Sequence, residues 1–307
     1  MQRRSFLIAS LISPLLALSV SHSRADTKSS SRSLRLWEQL DTRQLKLRSK
    51  AALVVDHFGN TLYQRRADDV MPIASVTKLM TAMVILDSGL PMDERIEITK
   101  DDRDLIRLTG SRLKIGSQLT RRELLTLALM ASENRAAAAL GRSFPGGTEA
   151  FVRSMNRKAM ELGMHESRFA DPAGLDARNV ATAQDLARMV FAAMHYPAIR
   201  EATTRRQLEV RPLAKRGPLR YVNTNRLLRS DSWEIQVSKT GYINEAGRCL
   251  VMHTEFDGTP TVIVLLNSFG KLTPFGDANR VRKWVEAGVG RKANPTVRAE
   301  RSEGSTS

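Results

Sequence analysis

WEIQVSKTGY at residues 233–242, CLVMHTEF at 249–256 and PTVIVLLNS at 260–268 follow one another with only short breaks between them. Each is rich in β-branched and apolar side chains and long enough to cross a sheet once. The stretch therefore reads as three consecutive strands. A second strand signal lies nearer the start of the chain. Ala51–Asp56 is an apolar, valine-containing run, Gly59-Asn60 marks a turn, and Thr61–Gln64 returns as the other half of a hairpin. Between the two strand regions the pattern is helical. Ser75 opens an apolar-periodic segment running to Leu86, which Gly89 and Pro91 stop. Thr120-Arg121-Arg122-Glu123 is a capping box, and Leu124–Met130 behind it is apolar nearly all round, the mark of a buried helix. Ser132 interrupts it, Ala136–Leu140 suggests another helix, and more are expected at about 148–163 and 182–195. A last amphipathic helix covers roughly Ala278–Ala287. Strands, helices, strands and a helix in that order make an α+β chain. An antiparallel sheet from both chain ends is flanked by helices, and a helical subdomain is inserted between its halves. This layout leaves a cleft where sheet and helical region meet.

The chain has 307 residues, enough to bury a core without metal or disulfide staples. Its one cysteine, Cys249, excludes a disulfide framework and a cysteine-built zinc site. Residues 1–25 read as an export signal: Arg3 and Arg4, an apolar run from Phe6 to Val20, then Ser23-Arg24-Ala25 as a small-x-small cleavage site. That run is shorter than the roughly 20 residues a spanning helix needs, so cleavage is expected rather than anchoring. Arg3-Arg4-Ser5-Phe6-Leu7 fits a twin-arginine signal, and a general secretory signal fits equally. No integral membrane segment is expected after signal cleavage, so the reading is a periplasmic protein. Residues 26–33 are serine-rich, Leu34, Leu36, Trp37 and Leu40 suggest a short helix, and 26–47 as a whole is a polar N-terminal segment. From Arg291 to the end a disordered basic tail is expected. The net charge is +16, and removing residues 1–25 leaves 45 basic against 32 acidic side chains, or +13. For an exported chain such charge suits anionic envelope polymers or a generally solvated basic surface, and no nucleic-acid partner is expected.

Familiar hydrolase motifs are missing: there is no G-x-S-x-G elbow and no H-E-x-x-H, and the five histidines are not spaced as a metal pair. No metal and no cofactor are expected. Serine with a lysine three residues on offers a different nucleophile. On a helix the two share a face, an unprotonated amine takes the hydroxyl proton, and the serine N–H at a helix start is free for an oxyanion. The pattern occurs at Ser75-Lys78, Ser111-Lys114 and Ser268-Lys271, and only Ser75 opens a long apolar helix. Taken alone, Ser75 also reads as a plain helix cap. Ser132-Glu133-Asn134 falls at a break between helices, whereas its other copy, Ser154-Met155-Asn156, lies within an ordinary amphipathic helix. Lys239-Thr240-Gly241 occurs once. Strand alternation puts Trp233, Ile235, Val237 and Lys239 on one apolar face, where the ammonium needs an anion or a polar network. Thr240 faces the other way, toward a substrate carboxylate, and Gly241 admits a ligand backbone.

The three elements in this order form the S-x-x-K, S-x-N, K-T-G set. Through Pro72-Ile-Ala-Ser-Val-Thr-Lys-Leu-Met-Thr-Ala-Met, Ala128-Leu-Met-Ala-Ser-Glu-Asn-Arg-Ala-Ala and Lys239-Thr-Gly-Tyr-Ile-Asn-Glu-Ala-Gly-Arg-Cys-Leu, the chain resembles the low-molecular-mass penicillin-binding proteins of the D-Ala-D-Ala peptidase family. The resemblance covers about residues 48–290, implies a β-lactamase/DD-peptidase-like fold, and marks that span as the catalytic domain. Ile243 departs from the threonine of many relatives, just after the motif. The resemblance implies that Ser75 attacks a D-Ala carbonyl, Lys78 serves as base and Ser132 relays a proton to the leaving amine. Asn134 would hold the substrate amide, Lys239 and Thr240 the adjoining carboxylate, and the N–H groups of Ser75 and Tyr242 the oxyanion. It implies peptidoglycan stem peptides as substrate and β-lactams as covalent inhibitors. The chain ends soon after its last helix, without the β-rich C-terminal domain of many family carboxypeptidases, which favours the endopeptidase branch acting on D-Ala to diaminopimelate cross-links. Release of terminal D-Ala uses the same residues and stays open. A β-lactamase is disfavoured by the lack of a Glu-x-x-Leu-Asn string, and a non-catalytic binder of anionic polymers rests on charge alone.

Overall fold

The computed structural model describes residues 40–290 apart from Asp257. The export signal, the serine-rich segment, the helix suggested at 34–40 save Leu40 itself, and the basic tail lie outside the described residues. In chain order the strands are β1 (Ala51–Asp56), β2 (Thr61–Arg65), β3 (Met71–Pro72), β4 (Arg95–Glu97), β5 (Gln118–Thr120), β6 (Val180–Ala181), β7 (Gln207–Val210), β8 (Leu219–Val222), β9 (Glu234–Ile243), β10 (Gly247–Phe256) and β11 (Thr259–Ser268). The helices are α1 (Lys78–Asp87), α2 (Arg121–Met130), α3 (Asn134–Arg142), α4 (Gly147–Glu161), α5 (Ala183–Ala193), α6 (Pro197–Thr204) and α7 (Thr273–Gly290).

Five strands make one antiparallel sheet in the order β2-β1-β11-β10-β9. The N-terminal hairpin thus joins the three C-terminal strands, the assembly expected from the strand pattern at the two ends. All six residues of β1 are buried because helices cover both faces of the sheet. Helix α5 packs on one face and α7 on the other. The inserted region between β2 and β9 carries the helices α1–α6, with α1 at its centre and eight of its ten residues buried. The capping box at Thr120 and Glu123 forms as expected and starts α2.

Two expectations need correction. Strand alternation does not carry Trp233, Ile235, Val237 and Lys239 onto one face. The β9–β10 register slips, with Val237 opposite His253 but Ile235 opposite Thr254, so Gln236 is an extra, bulged residue. One added residue inverts a period of two. Val237 faces the helical core, while Trp233 turns to the α7 side, against Phe256 and beneath the Arg282 guanidinium. Only Val237 and Lys239 share the core face. Second, Ser75 does not open an α-helix. It lies in a 3₁₀ turn, Ala74–Thr77, and the α-helix begins at Lys78. Also new are α6, the β4–β5 pair and the β7–β8 hairpin, which the sequence pattern left unassigned.

Candidate active site

The edge strand β9 runs beside the 3₁₀ turn of Ser75, and this contact makes the site. A side chain at position 241 would bring a Cβ within 2.8 Å of the Ile73 carbonyl oxygen and 3.2 Å of the Ser75 nitrogen. Gly241 therefore admits the chain's own serine turn, where the sequence reading had assigned it to a ligand backbone. On the turn's other side Gly174 sits against the Ala74 carbonyl, again with no room for a Cβ. Ala74 itself is left-handed, at φ +48°, a costly conformation for a residue with a side chain. The first backbone bond of the turn runs from the Val76 N–H to the Ile73 carbonyl, so the Ser75 N–H lies ahead of the helical ladder.

In a 3₁₀ turn side chains three apart eclipse, and Lys78 stands directly behind Ser75. The Lys78 Nζ donates to Ser75 Oγ at 2.8 Å, to Asn134 Oδ1 at 2.8 Å and to the Ala173 carbonyl at 2.5 Å. Asn134 is the first residue of α3, and its Nδ2 donates to Thr109 Oγ1. Ala173 is held by Asp171, whose carboxylate accepts the backbone N–H groups of Ala173, Gly174, Leu175 and Asp176. Ser132 occupies the break between α2 and α3 with φ +57°, and Glu133 caps α3. The Ser132 Oγ accepts from Lys239 Nζ at 2.9 Å, and Lys239 also donates to the Thr240 carbonyl at 2.8 Å. The Lys239 ammonium thus meets the polar network its apolar face demanded. Thr240 Oγ1 donates to Thr224 Oγ1 at 2.7 Å. Tyr242 is half exposed, under the Arg248 guanidinium at 3.9 Å.

Both lysines are fully buried, and among the described residues neither forms an ion pair. Burial pulls the Lys78 amine down to about 8, against the longer-range pull of Asp171, Glu133 and Asp104. Burial and the neighbouring Lys78 charge hold Lys239 well below the usual lysine range. Once it has lost its proton, an amine in contact with a serine hydroxyl is a base placed on a nucleophile. Ser75, Ser132, Asn134, Thr240, Gly241 and Tyr242 line one cleft of about 430 Å³.

The other copies of the motifs are ordinary. Ser111 Oγ accepts the Leu113 N–H in a turn, Ser268 Oγ is buried against Ser49 Oγ, and Ser154 Oγ bonds back to Ala150 within α4. Sequence reasoning missed Ala173, whose carbonyl carries no residue-type signal. It also missed Thr224, for which the Asn223-Thr224-Asn225 turn was the available hint.

Comparison with known proteins gives the chain a family. Residues 38–270 match the D-alanyl-D-alanine carboxypeptidase family of peptidases. The chain belongs to that family. Membership makes it a serine-type D-Ala-D-Ala peptidase. A D-alanyl-D-alanine endopeptidase of Pseudomonas aeruginosa is 48% identical over 246 residues, covering 80% of this chain and 79% of the relative. The crystal structure of the Streptomyces K15 DD-transpeptidase superposes with a TM-score of 0.73 at 27% identity, over 79% of this chain and 98% of that one. Penicillin-binding protein D2 of Listeria monocytogenes, in its ampicillin-bound form, gives 0.67 at 29% identity over 78% and 98%. The fold is therefore that of the DD-peptidases and penicillin-binding proteins.

Proposed function

We propose that this peptidase is an endopeptidase of peptidoglycan, hydrolysing the bond from D-Ala to diaminopimelate in cross-linked stem peptides through an acyl-enzyme on Ser75. The observation that carries the proposal is the Lys78 amine, 2.8 Å from Ser75 Oγ and drawn down to about 8 by burial. Neutral Lys78 takes the hydroxyl proton as Ser75 Oγ bonds to the D-Ala carbonyl carbon. The carbonyl oxygen becomes an oxyanion, received by the N–H groups of Ser75 and Tyr242, a contact generally worth ~3 kcal/mol per donor. The C–N bond breaks, and the proton passes from Lys78 by way of Ser132 to the leaving amine. Lys239 and Thr240 hold the carboxylate beside the scissile bond, and Asn134 holds Lys78 and the substrate amide. Water then attacks the ester carbonyl and gives its proton to Lys78, the bond from the acyl carbon to Ser75 Oγ breaks, and Lys78 returns that proton to Ser75 Oγ.

The endopeptidase assignment is supported by the Pseudomonas relative's name. The family's own description favours the second reading, carboxypeptidase release of terminal D-Ala. Purified protein given cross-linked muropeptide dimers is expected to yield monomers, followed by mass spectrometry. Persistent dimers with free D-Ala accumulating establish the second reading. Labelled penicillin is expected to acylate Ser75 and leave slowly, and Ser75→Ala to take up none. We read residues 1–25 as a cleaved export signal, by the twin-arginine or the general secretory route. The catalytic domain, 48–290, would then act in the periplasm, where cross-link cleavage bears on cell-wall growth and shape.

A further inference from the structure

Sixteen residues line the active-site cleft, four of them cationic and none acidic. The four are Arg226 and Arg229 in the 3₁₀ turn after β8, Arg248 on β10, and Lys271 ahead of α7. Some arginines elsewhere pair with carboxylates, as Arg142 does with Asp102 and Arg121 with Glu94. Among the described residues none of these four forms an ion pair. A concave wall of one sign, without internal neutralisation, concentrates anions.

Their placement follows from the edge strand. Thr224 is bonded to Thr240 and leads into the turn carrying Arg226 and Arg229. Arg248 is the strand partner of Tyr242 and lies opposite Ser268, three residues before Lys271. The cations therefore surround the Thr240–Tyr242 segment, the segment that receives the carboxylate next to the scissile bond in the reading above. A single departing D-Ala has one carboxylate and nothing further to offer them. A departing stem peptide has several.

We infer, resting on that endopeptidase reading, that Arg226, Arg229, Arg248 and Lys271 form an oligocarboxylate subsite. It holds the leaving peptide and sets the preference for cross-linked over terminal substrate. Arginine suits the task because its planar fork takes a carboxylate with two parallel hydrogen bonds.

The test compares wild type with Arg226→Gln/Arg229→Gln, and separately with Lys271→Gln. The readouts are kcat/KM for cross-linked muropeptide dimers and the rate constant of acylation by fluorescent penicillin, which lacks a leaving peptide. The ratio of the first to the second is expected to fall about tenfold in the double variant, through KM, since charged hydrogen bonds are lost. In wild type the same ratio is expected to fall as salt rises from about 50 to about 500 mM, because exposed charge pairs are screened. Ratios equal to wild type in both variants, with no salt dependence, overturn the subsite while leaving the endopeptidase reading intact. A wild-type enzyme that acylates with penicillin but leaves dimers whole overturns both.

Discussion

The Lys78 amine has three acceptors and no carboxylate in contact, and that arrangement decides its proton. Ser75 Oγ, Asn134 Oδ1 and the Ala173 carbonyl satisfy its donors, while burial penalises its charge. Because its value is lowered to about 8, the amine is protonated and idle as a base below that pH. Acylation of Ser75 by penicillin is therefore expected to rise about tenfold per pH unit up to a midpoint near 8, then level off. Stopped-flow acylation between pH 6 and 9.5, roughly the range spanning that titration, reads this directly, and a flat profile refutes it. The sign for stability is the same. Between about 8 and the ordinary lysine value the unfolded chain holds the proton the folded chain has lost, so stability grows with pH across that window. Lys78→Arg keeps a donor but cannot release a proton. Its acylation rate is expected to drop at least ~100-fold, with the limb abolished.

At the scale of elements, the site is a 3₁₀ turn clamped between two glycines. Gly241 on β9 and Gly174 in the loop after Asp171 touch the turn from opposite sides. Gly241→Ala must push β9 away from Ile73 and Ser75, because the nearest obstacle is a backbone carbonyl at 2.8 Å that has no rotamer to change. Acylation is expected to slow ~100-fold, as misplacement by about an ångström does, and urea unfolding to show a loss of ~1–3 kcal/mol from overpacking. Wild-type acylation in this variant means that the strand's approach is not what sets the geometry. The same elements show what sequence can carry. The strands at 51–56, 249–256 and 260–268 were legible because burial on both faces writes continuous apolar runs. Ser75, Lys78, Ser132, Asn134 and Lys239 were legible because their chemistry depends on residue type. The bulge at Gln236 was not, since it is a register choice between two strands and leaves no local mark. The hairpin of β7 and β8 was hidden for a different reason: its strands are only four residues long, and an alternation as brief as Gln207-Leu208-Glu209-Val210 is too short to mark a strand. The close fit of the Ser75 turn depends on Gly174 and Gly241 packed against it, both distant in sequence.

Across the whole molecule, a strand from the first third of the chain lies at the centre of a sheet completed by the last third. β1 pairs with β11 over six residues, and every helix of the insertion lies between them in sequence. That long-range closure is locked on the α7 side of the sheet. Asp277, fully buried in α7, accepts the backbone N–H groups of Arg48 and Ser49, the Ser49 hydroxyl and the Arg280 guanidinium. Ser49 Oγ in turn meets Ser268 Oγ at the end of β11, and the Trp284 indole donates to the Asp41 carbonyl. One carboxylate thus ties the entry to β1, the exit from β11 and the final helix. Asp277→Ala leaves the backbone N–H groups of Arg48 and Ser49 without their acceptor, while the Ser49 hydroxyl keeps Ser268 Oγ, and a buried acceptor lost in this way costs about 3 kcal/mol. The expected result is a urea midpoint lowered in proportion, with the slope of the transition unchanged because the same surface is exposed on unfolding. Penicillin acylation per folded molecule is expected to persist, since Asp277 belongs to the helix covering the sheet's other face and touches none of the Ser75 cluster. A loss below ~1 kcal/mol would mean that closure rests on strand pairing alone. A parallel loss of acylation at full folding would mean that Asp277 positions the start of α7, whose Pro274 and Phe275 line the cleft.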